Sequence, residues 1–275
     1  MKNNKNKLLT LSIIIPVYNE ERHIEDCLDS ISKQTIMPDK VIVVDNNCTD
    51  GTIAIAQKYK FVEVVEESNQ GVVYARNKGF DSVKSDIIGR IDADVILPDN
   101  WVERVIEYFN KKDSAGSALT GCGYFRNFHA FPKSVTYKIQ DIMTFRLNKL
   151  ILGHYALWGS NMAMLHSDWL KVKKQVCLDT TIHEDLDLAI HLHRANVKIH
   201  YMPDLGVVST MKRISFSKKP ELYKNLLLWP NTVRKHNNPK WVFGWLGAQF
   251  LFINGLWLTP VNMAVTRIKY GHWPN

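Results

Sequence analysis

Leu11-Ser12-Ile13-Ile14-Ile15-Pro16-Val17, followed at once by Tyr18-Asn19-Glu20-Glu21, sets the pattern on which this chain is built. An apolar, β-branched run that stops abruptly at polar residues is the signature of a strand covered on both faces. The figure returns at Val41-Ile42-Val43-Val44, which ends at Asp45-Asn46-Asn47, and at Phe61–Val65. It returns again at Ile87-Ile88-Gly89-Arg90-Ile91, which ends at Asp92-Ala93-Asp94. Between these runs the apolar residues recur at helical spacing: Ile24, Cys27, Leu28 and Ile31; then Ile53, Ala54, Ala56 and Tyr59 behind Asp50 as N-cap. Val72–Val83 and Trp101–Phe109 read as two further helices. The alternation predicts an α/β fold with a mainly parallel central sheet and helices on both faces. Ligands of such sheets bind beyond the carboxyl ends of the strands. Tyr18-Asn19-Glu20, Asp45-Asn46-Asn47 and Asp92-Ala93-Asp94 are therefore expected on one rim.

The second half is less regular. Ala118–Phe128 reads as a strand, Val135–Leu150 as a helix, and Gly159–Leu165 as a short strand or loop. Leu186–Arg194 is a helix entered through His183-Glu184-Asp185, and Val197–Met202 and Gly206–Ser209 read as two strands. At the other end, Lys2, Lys5 and Lys7 before Leu8–Ile15 imitate a secretory leader. Pro16 and the polar Asn19-Glu20-Glu21-Arg22 follow with no small-residue cleavage site, so a buried strand is expected instead.

With 275 residues, 45% hydrophobic and 23% charged, the chain can bury a core without staples. Cys27, Cys48, Cys122 and Cys177 are scattered and form no C-x-x-C pair, which argues against a zinc ribbon or a disulfide framework. They fit a reducing, cytoplasmic compartment. The formal charge of +8 is concentrated at one end: residues 198–275 hold eleven Lys/Arg against Asp204 and Glu221, and five of the eight tryptophans. A near-neutral body with a basic, Trp-rich tail points to an anionic partner at one end, a membrane surface or a phosphorylated substrate, and not to nucleic acid. Residues 242–266 carry no formal charge, a length that would span a bilayer. Gln249, Asn254, Asn262, three glycines and Pro260 interrupt it, so an interfacial hairpin or two packed helices are equally open readings.

The chemistry lies at the strand ends. No G-x-G-x-x-G follows a strand and no G-x-x-x-x-G-K-[ST] occurs, which removes support for a dinucleotide oxidoreductase or a P-loop NTPase. G-x-S-x-G is missing too, against a serine hydrolase. Asp92-Ala93-Asp94 places two carboxylates around one small residue at the end of a buried strand, within reach of a single hard cation such as Mg²⁺ or Mn²⁺.

Leu11–Glu21, Val43-Val44-Asp45-Asn46-Asn47-Cys48-Thr49-Asp50-Gly51, Ala75-Arg76-Asn77-Lys78-Gly79, Asp92-Ala93-Asp94, Gly159-Ser160-Asn161-Met162-Ala163 and Glu184-Asp185 occur in that order. Together they resemble the family 2 glycosyltransferases, over about residues 8–215. The resemblance implies a GT-A (nucleotide-diphospho-sugar transferase) fold, with a nucleotide-binding half over about 8–110 and an acceptor-binding half over about 111–215. A basic helical tail, 216–275, would associate with a membrane. The implied reaction moves a sugar, with inversion, from a nucleoside diphosphate donor (a UDP- or GDP-sugar) to a hydroxyl of a glycan or lipid-linked acceptor at the cytosolic membrane face.

Residue by residue, the resemblance implies that Pro16, Tyr18 and Glu20 line the nucleoside pocket and that Asp45 accepts a hydrogen bond from the base. Arg76 would face the nucleotide, an ordinary surface arginine being the alternative. Asp92, with Ala93 beside it, would hold ribose or metal, and Asp94 would ligate Mg²⁺ or Mn²⁺. Asp185 would be the general base, with Glu184, Gly159 and Asn161 on the acceptor side; a plain capping role is the alternative for Glu184-Asp185. Lys212 and Arg213 would contact the diphosphate or face solvent or lipid. His183 reads as a residue that orients a neighbour, and His191 and His193 as having no catalytic part. The Q-x-x-R-W motif of processive synthases is absent, which predicts transfer of single residues. The competing reading, from a different class, is a catalytically inactive GT-A module that tethers partners to a membrane.

Overall fold

The computed structural model describes residues 9–111, 114–126, 132–210, 219–249 and 267–268. One seven-stranded sheet organises them, in the order β3-β2-β1-β4-β6-β5-β7. β1 (Leu11–Val17), β2 (Lys40–Asp45), β3 (Val62–Glu66) and β4 (Ile87–Arg90) are mutually parallel. β6 (Met162–Leu165) runs antiparallel to both of its neighbours, β4 and β5 (Ser117–Phe125). β7 (Lys198–Ser209) pairs in parallel with β5. The sheet is thus mixed on one side, and parallel where the sequence pattern is strictest.

The alternation of side chains along the strands divides the core in two. Leu11, Ile13, Ile15 and Val17 of β1, with Val41 and Val43 of β2, enter one cluster; Ile14, Ile42 and Val44 enter the other. α1 (Ile24–Ser32) and α4 (Trp101–Phe109) cover the first face through Ile24, Cys27, Leu28, Ile31, Trp101, Val105 and Phe109. α3 (Val72–Ser82), α7 (His166–Val172) and α8 (Glu184–Arg194) cover the second through Ala75, Phe80, Trp169, Leu188 and Leu192. Both faces being dry explains why these strands read as unbroken apolar runs. α2 (Thr52–Ala56) is a single short turn, entered where Asp50 Oδ1 accepts the Thr52 N–H at 3.0 Å.

Three expectations for the second half are corrected. The strands expected at Val197–Met202 and Gly206–Ser209 are one continuous β7. Its irregular Pro203-Asp204-Leu205-Gly206 stretch stands opposite the single Cys122 of β5, after which the ladder resumes at Gly123 opposite Val207. The helix expected over Val135–Leu150 runs as α5 (Lys133–Gln140), a π-helical turn (Asp141–Arg146) and α6 (Leu147–Leu152). It stops at Gly153, whose φ of 88° is the left-handed end that glycine supplies. β5 ends at Phe125 with Arg126 in a turn, and 127–128 of the strand expected there lie outside the described residues. Within Gly159–Leu165, read as a short strand or loop, Met162–Leu165 is strand.

α9 (Lys219–Lys235) leads the tail, and residues 241–249 are helical. Trp229, Val233 and Trp241 pack on Leu186 and Ile190 of α8. Val242, Phe243, Trp245 and Leu246 stay exposed. Among the described residues no helix is long and apolar enough to cross a membrane; 250–266 of the uncharged stretch lie outside them.

Candidate active site

The strand order places β2 and β4 on opposite sides of β1, so the connections leaving β1 diverge and open a crevice at their carboxyl ends. A cavity of about 460 Å³ fills it. Its walls bring together Pro16, Tyr18 and Glu20 after β1, Asp92, Ala93 and Asp94 after β4, and Asp185 at the start of α8. The strand ends that the sequence put on one rim therefore meet, and a residue from far along the chain joins them.

One buried guanidinium ties these parts together. Arg90, the last residue of β4 and 1% exposed, donates from Nη1 to Asp185 Oδ1 at 2.9 Å and from Nη2 to Asp92 Oδ1 at 2.8 Å. Burial acts against its charge, but the carboxylates of Asp185, Asp92 and Glu184 more than offset this and raise its pKa. Asp185 is closed from its other side by the Gly159 N–H, 2.8 Å from Oδ2. A Cβ at Gly159 would lie 1.0 Å from Arg90 Nη1, so only glycine fits against the clamp. Asp92 Oδ2 accepts the Ser160 hydroxyl at 2.5 Å. Gly159-Ser160 is thereby bonded to both carboxylates.

Those contacts divide the two acids of the Asp92-Ala93-Asp94 triplet. Asp92 has Arg90 and Ser160 on its two oxygens, and Asp94, 6% exposed, lines the same cavity. His183 also lines the cavity, and its Nδ1 is buried without a hydrogen-bond partner among the described residues. Carboxylates and an imidazole on the wall of one cavity are donor types that suit a divalent ion such as Mn²⁺. The residues present fit such an ion.

Other expected site residues lie elsewhere. Arg76 is wholly buried, neither facing the cavity nor on the surface: its Nη1 donates to Glu184 O at 2.7 Å, and Nε and Nη2 reach Asn77 Oδ1. It braces the first turn of α8 from behind, and its burial lowers its pKa against the pull of Asp185 and Glu184. Asn161 is likewise internal, accepting the Trp101 Nε1–H at 2.9 Å and donating to Leu205 O and Cys122 O. Glu184 is 5% exposed, with its carboxylate 4.0 Å from Arg90. Asp45 accepts the Cys48 N–H at 2.8 Å and holds the turn after β2. It is not on the cavity wall, where its neighbour Asn46 stands instead. Lys212 and Arg213 lie outside the described residues.

The sequence reading also missed parts of the wall. Asn46 clamps the loop ahead of α3, donating to Glu67 O and Asn69 O and accepting the Gly71 N–H. Phe125 and Trp158, in edge contact with ring centroids 6.4 Å apart, form an aromatic part of the cavity wall. The tail contributes from outside: Thr232 Oγ1 of α9 accepts the His183 N–H at 2.7 Å, just before Glu184-Asp185.

Comparison with known proteins places this arrangement. The Glycosyl transferase family 2 model matches residues 12–171. Glycosyltransferase AglE of Haloferax volcanii is 39% identical over 101 residues, 34% of this chain and 33% of that protein. Poly-beta-1,6-N-acetyl-D-glucosamine synthase of Staphylococcus aureus is 27% identical over 210 residues, 73% of this chain and 50% of that protein. The first curated relatives are matched over about a third of their length or less. Among solved structures, a mannosyltransferase of Pyrobaculum calidifontis in complex with GDP-Man and Mn²⁺ superposes with a TM-score of 0.64. That match, at 18% identity, covers 98% of this chain and 78% of the other. S. aureus TarS 1-349 in complex with UDP-GlcNAc gives 0.59 at 16% identity, over 94% and 85%. Likenesses at these identities establish the fold.

Proposed function

The chain belongs to glycosyl transferase family 2, and from that premise we propose that it moves a sugar from a nucleoside diphosphate donor to a hydroxyl acceptor, with inversion. The observation that carries this reading is the convergence of the β1 rim, the Asp92–Asp94 pair and Asp185 on one cavity. Pro16, Tyr18, Glu20 and Asn46 hold the nucleoside end of the donor. Asp94 and Asp92 would hold Mg²⁺ or Mn²⁺, and the bound ion supplies positive charge for the departing diphosphate. Asp185 accepts the acceptor hydroxyl proton. Arg90 and the Gly159 N–H hold its carboxylate in one orientation, so it does not have to be ordered as the reaction begins. Phe125 and Trp158 offer an apolar platform to the acceptor sugar.

The acceptor class we propose is a lipid-linked or cell-envelope glycan met at a membrane surface. Its support is the basic tail together with the exposed Val242, Phe243, Trp245 and Leu246. Sedimentation with anionic liposomes checks it, and failure to sediment at physiological salt removes it.

A thermal-shift panel of UDP, GDP, dTDP and CDP, with and without Mn²⁺, tests the donor site. A ligand at 100 times its Kd stabilises by about 2.7 kcal/mol. The expected result is a shift for a subset of nucleotides that requires Mn²⁺. Asp185→Asn should keep that shift while transfer falls about 10²–10⁴-fold. No shift for any nucleotide would favour the tethering module instead, and loss of donor binding in Asp185→Asn would make Asp185 structural.

A further inference from the structure

On the side of α8 away from the cavity, four side chains from three separate segments converge. Asp187 and His191 stand at i and i+4 on α8 and share a face. Cys177 comes from the loop after α7, and His236 directly follows α9. Their sulfur, oxygen and nitrogen donor atoms all lie within 4.8 Å of one another. Asp187 has no exposed surface, and His191 and His236 are 7% and 9% exposed. We propose that these four residues form a zinc site, separate from the cation position at Asp94.

The donor set selects the ion. One thiolate, two imidazoles and one carboxylate suit zinc, whereas Mg²⁺ prefers oxygen donors and retained water. Tetrahedral donors around zinc stand about 3.3–3.8 Å apart. Asp187 Oδ1 lies 2.8 Å from His236 Nε2 and 3.5 Å from His191 Nε2, so shifts of an ångström or less close the group. His191 supplies an independent observation. Its ring is buried, and among the described residues Nε2 meets only the Asp187 carboxylate, at the long distance of 3.5 Å. A buried imidazole nitrogen held that loosely is rare, and coordination through Nε2 would satisfy it.

His236 shows what binding must rearrange. Arg194 Nη1 lies 3.0 Å from His236 Nδ1, and Nη2 donates to His236 O at 3.0 Å. With zinc on Nε2 the ring proton sits on Nδ1, and the guanidinium must withdraw from that nitrogen. Arg194 is exposed and can do so while keeping the carbonyl bond. The result is a staple joining the 177 loop, α8 and α9. α9 already meets the active-site loop through Thr232 and His183, so the staple would fix the approach to Asp185.

The test uses the full chain carrying Asp94→Ala, with the wild-type chain in excess Mg²⁺ as its parallel, so that the cavity cation does not contribute. After gel filtration under reducing conditions, about one equivalent of zinc should remain per chain. The cobalt-substituted protein should show the visible bands of tetrahedral Co²⁺ and a thiolate-to-cobalt charge-transfer band. That band should vanish in Cys177→Ser, and His236→Gln should lose the retained zinc. Zinc should also raise the Tm of the parent and leave that of Cys177→Ser unchanged. No retained zinc, or a cobalt spectrum without the thiolate band in the parent chain, overturns the proposal whether or not the variants fold. The donor site is judged by the nucleotide shifts, which neither result decides.

Discussion

Replacing Gly159 by alanine asks whether the clamp around Arg90 is as tight as its distances state. The added methyl would sit 1.0 Å from Nη1, 2.2 Å from Cζ and 2.5 Å from Asp185 Oδ2. Arg90 has nowhere to retreat, because its guanidinium is enclosed between Asp185 and Asp92. The methyl must break those pairs or drive the loop away from β4. Separating a buried ion pair and leaving its charges uncompensated costs about 3–5 kcal/mol. For a chain of this size roughly 2–4 °C of Tm is lost per kcal/mol, so a drop of roughly 6–20 °C is expected. Transfer should fall about 10²-fold or more, since the loop and Asp185 shift together. Calorimetry and urea titration measure the first effect and initial rates the second. Gly247→Ala, which meets nothing within 4 Å, is the control and should stay within about 0.5 kcal/mol of wild type. A Gly159→Ala protein within about 1 kcal/mol of the parent would refute the clamp.

Three further outcomes are expected. Asn161→Ala orphans the Trp101 indole N–H and the carbonyl of Leu205, at about 1–3 kcal/mol each, so the urea midpoint should fall by at least about 2 kcal/mol equivalent; a smaller change would return Asn161 to the acceptor side. Asp94→Ala should abolish the Mn²⁺ requirement of nucleotide-induced stabilisation by removing the stabilisation itself, and an unaltered Mn²⁺-linked shift would move the cation elsewhere. Cys48 is pushed up to about 11, first by burial and then by Asp45, against the Asn19 N–H that favours its thiolate. A raised thiol pKa means less thiolate below it, so alkylation at pH 8 should run about 100-fold slower than for a thiol of ordinary pKa and climb about tenfold per pH unit toward 11; a pH-independent rate would contradict the burial.

How much of this could be read before any coordinates depends on how local the cause was. β1, β2 and β4 were legible because burial on both faces writes an uninterrupted apolar run, and the polar residues after each run had to end on one side of the sheet. α4 was legible to the residue, since Trp101, Val105 and Phe109 repeat at one helical face and Asn100 precedes them. Arg76, Arg90 and Asn161 were not, for one reason: the partner that fixes each in the fold (Glu184, Asp185 and Leu205) lies 44–108 residues away in sequence. An arginine inside an apolar strand was a visible anomaly at Arg90, and Asp92 lies two residues on, but nothing local points to Asp185 as its second carboxylate. The orphaned Nδ1 of His183 is similarly a property of the assembled cavity. Val197–Met202 and Gly206–Ser209 read as two strands because Pro203-Asp204 interrupts the apolar run, whereas β7 carries these residues as an irregularity opposite Cys122 and then resumes its pairing.

The antiparallel insertion of β6 between β4 and β5 also has a consequence for synthesis on the ribosome. When Arg90 has emerged, β1 to β4 can already form a parallel half-sheet, but the open edge of β4 has no mate until Met162–Leu165 arrive. At about 5–20 residues per second the intervening segment takes roughly 4–15 s to make. For that interval an apolar, unprotected edge is presented to every other nascent chain nearby. Slowing translation between codons 91 and 162 should therefore lower soluble yield, while slowing it after 210, once the sheet is closed, should not.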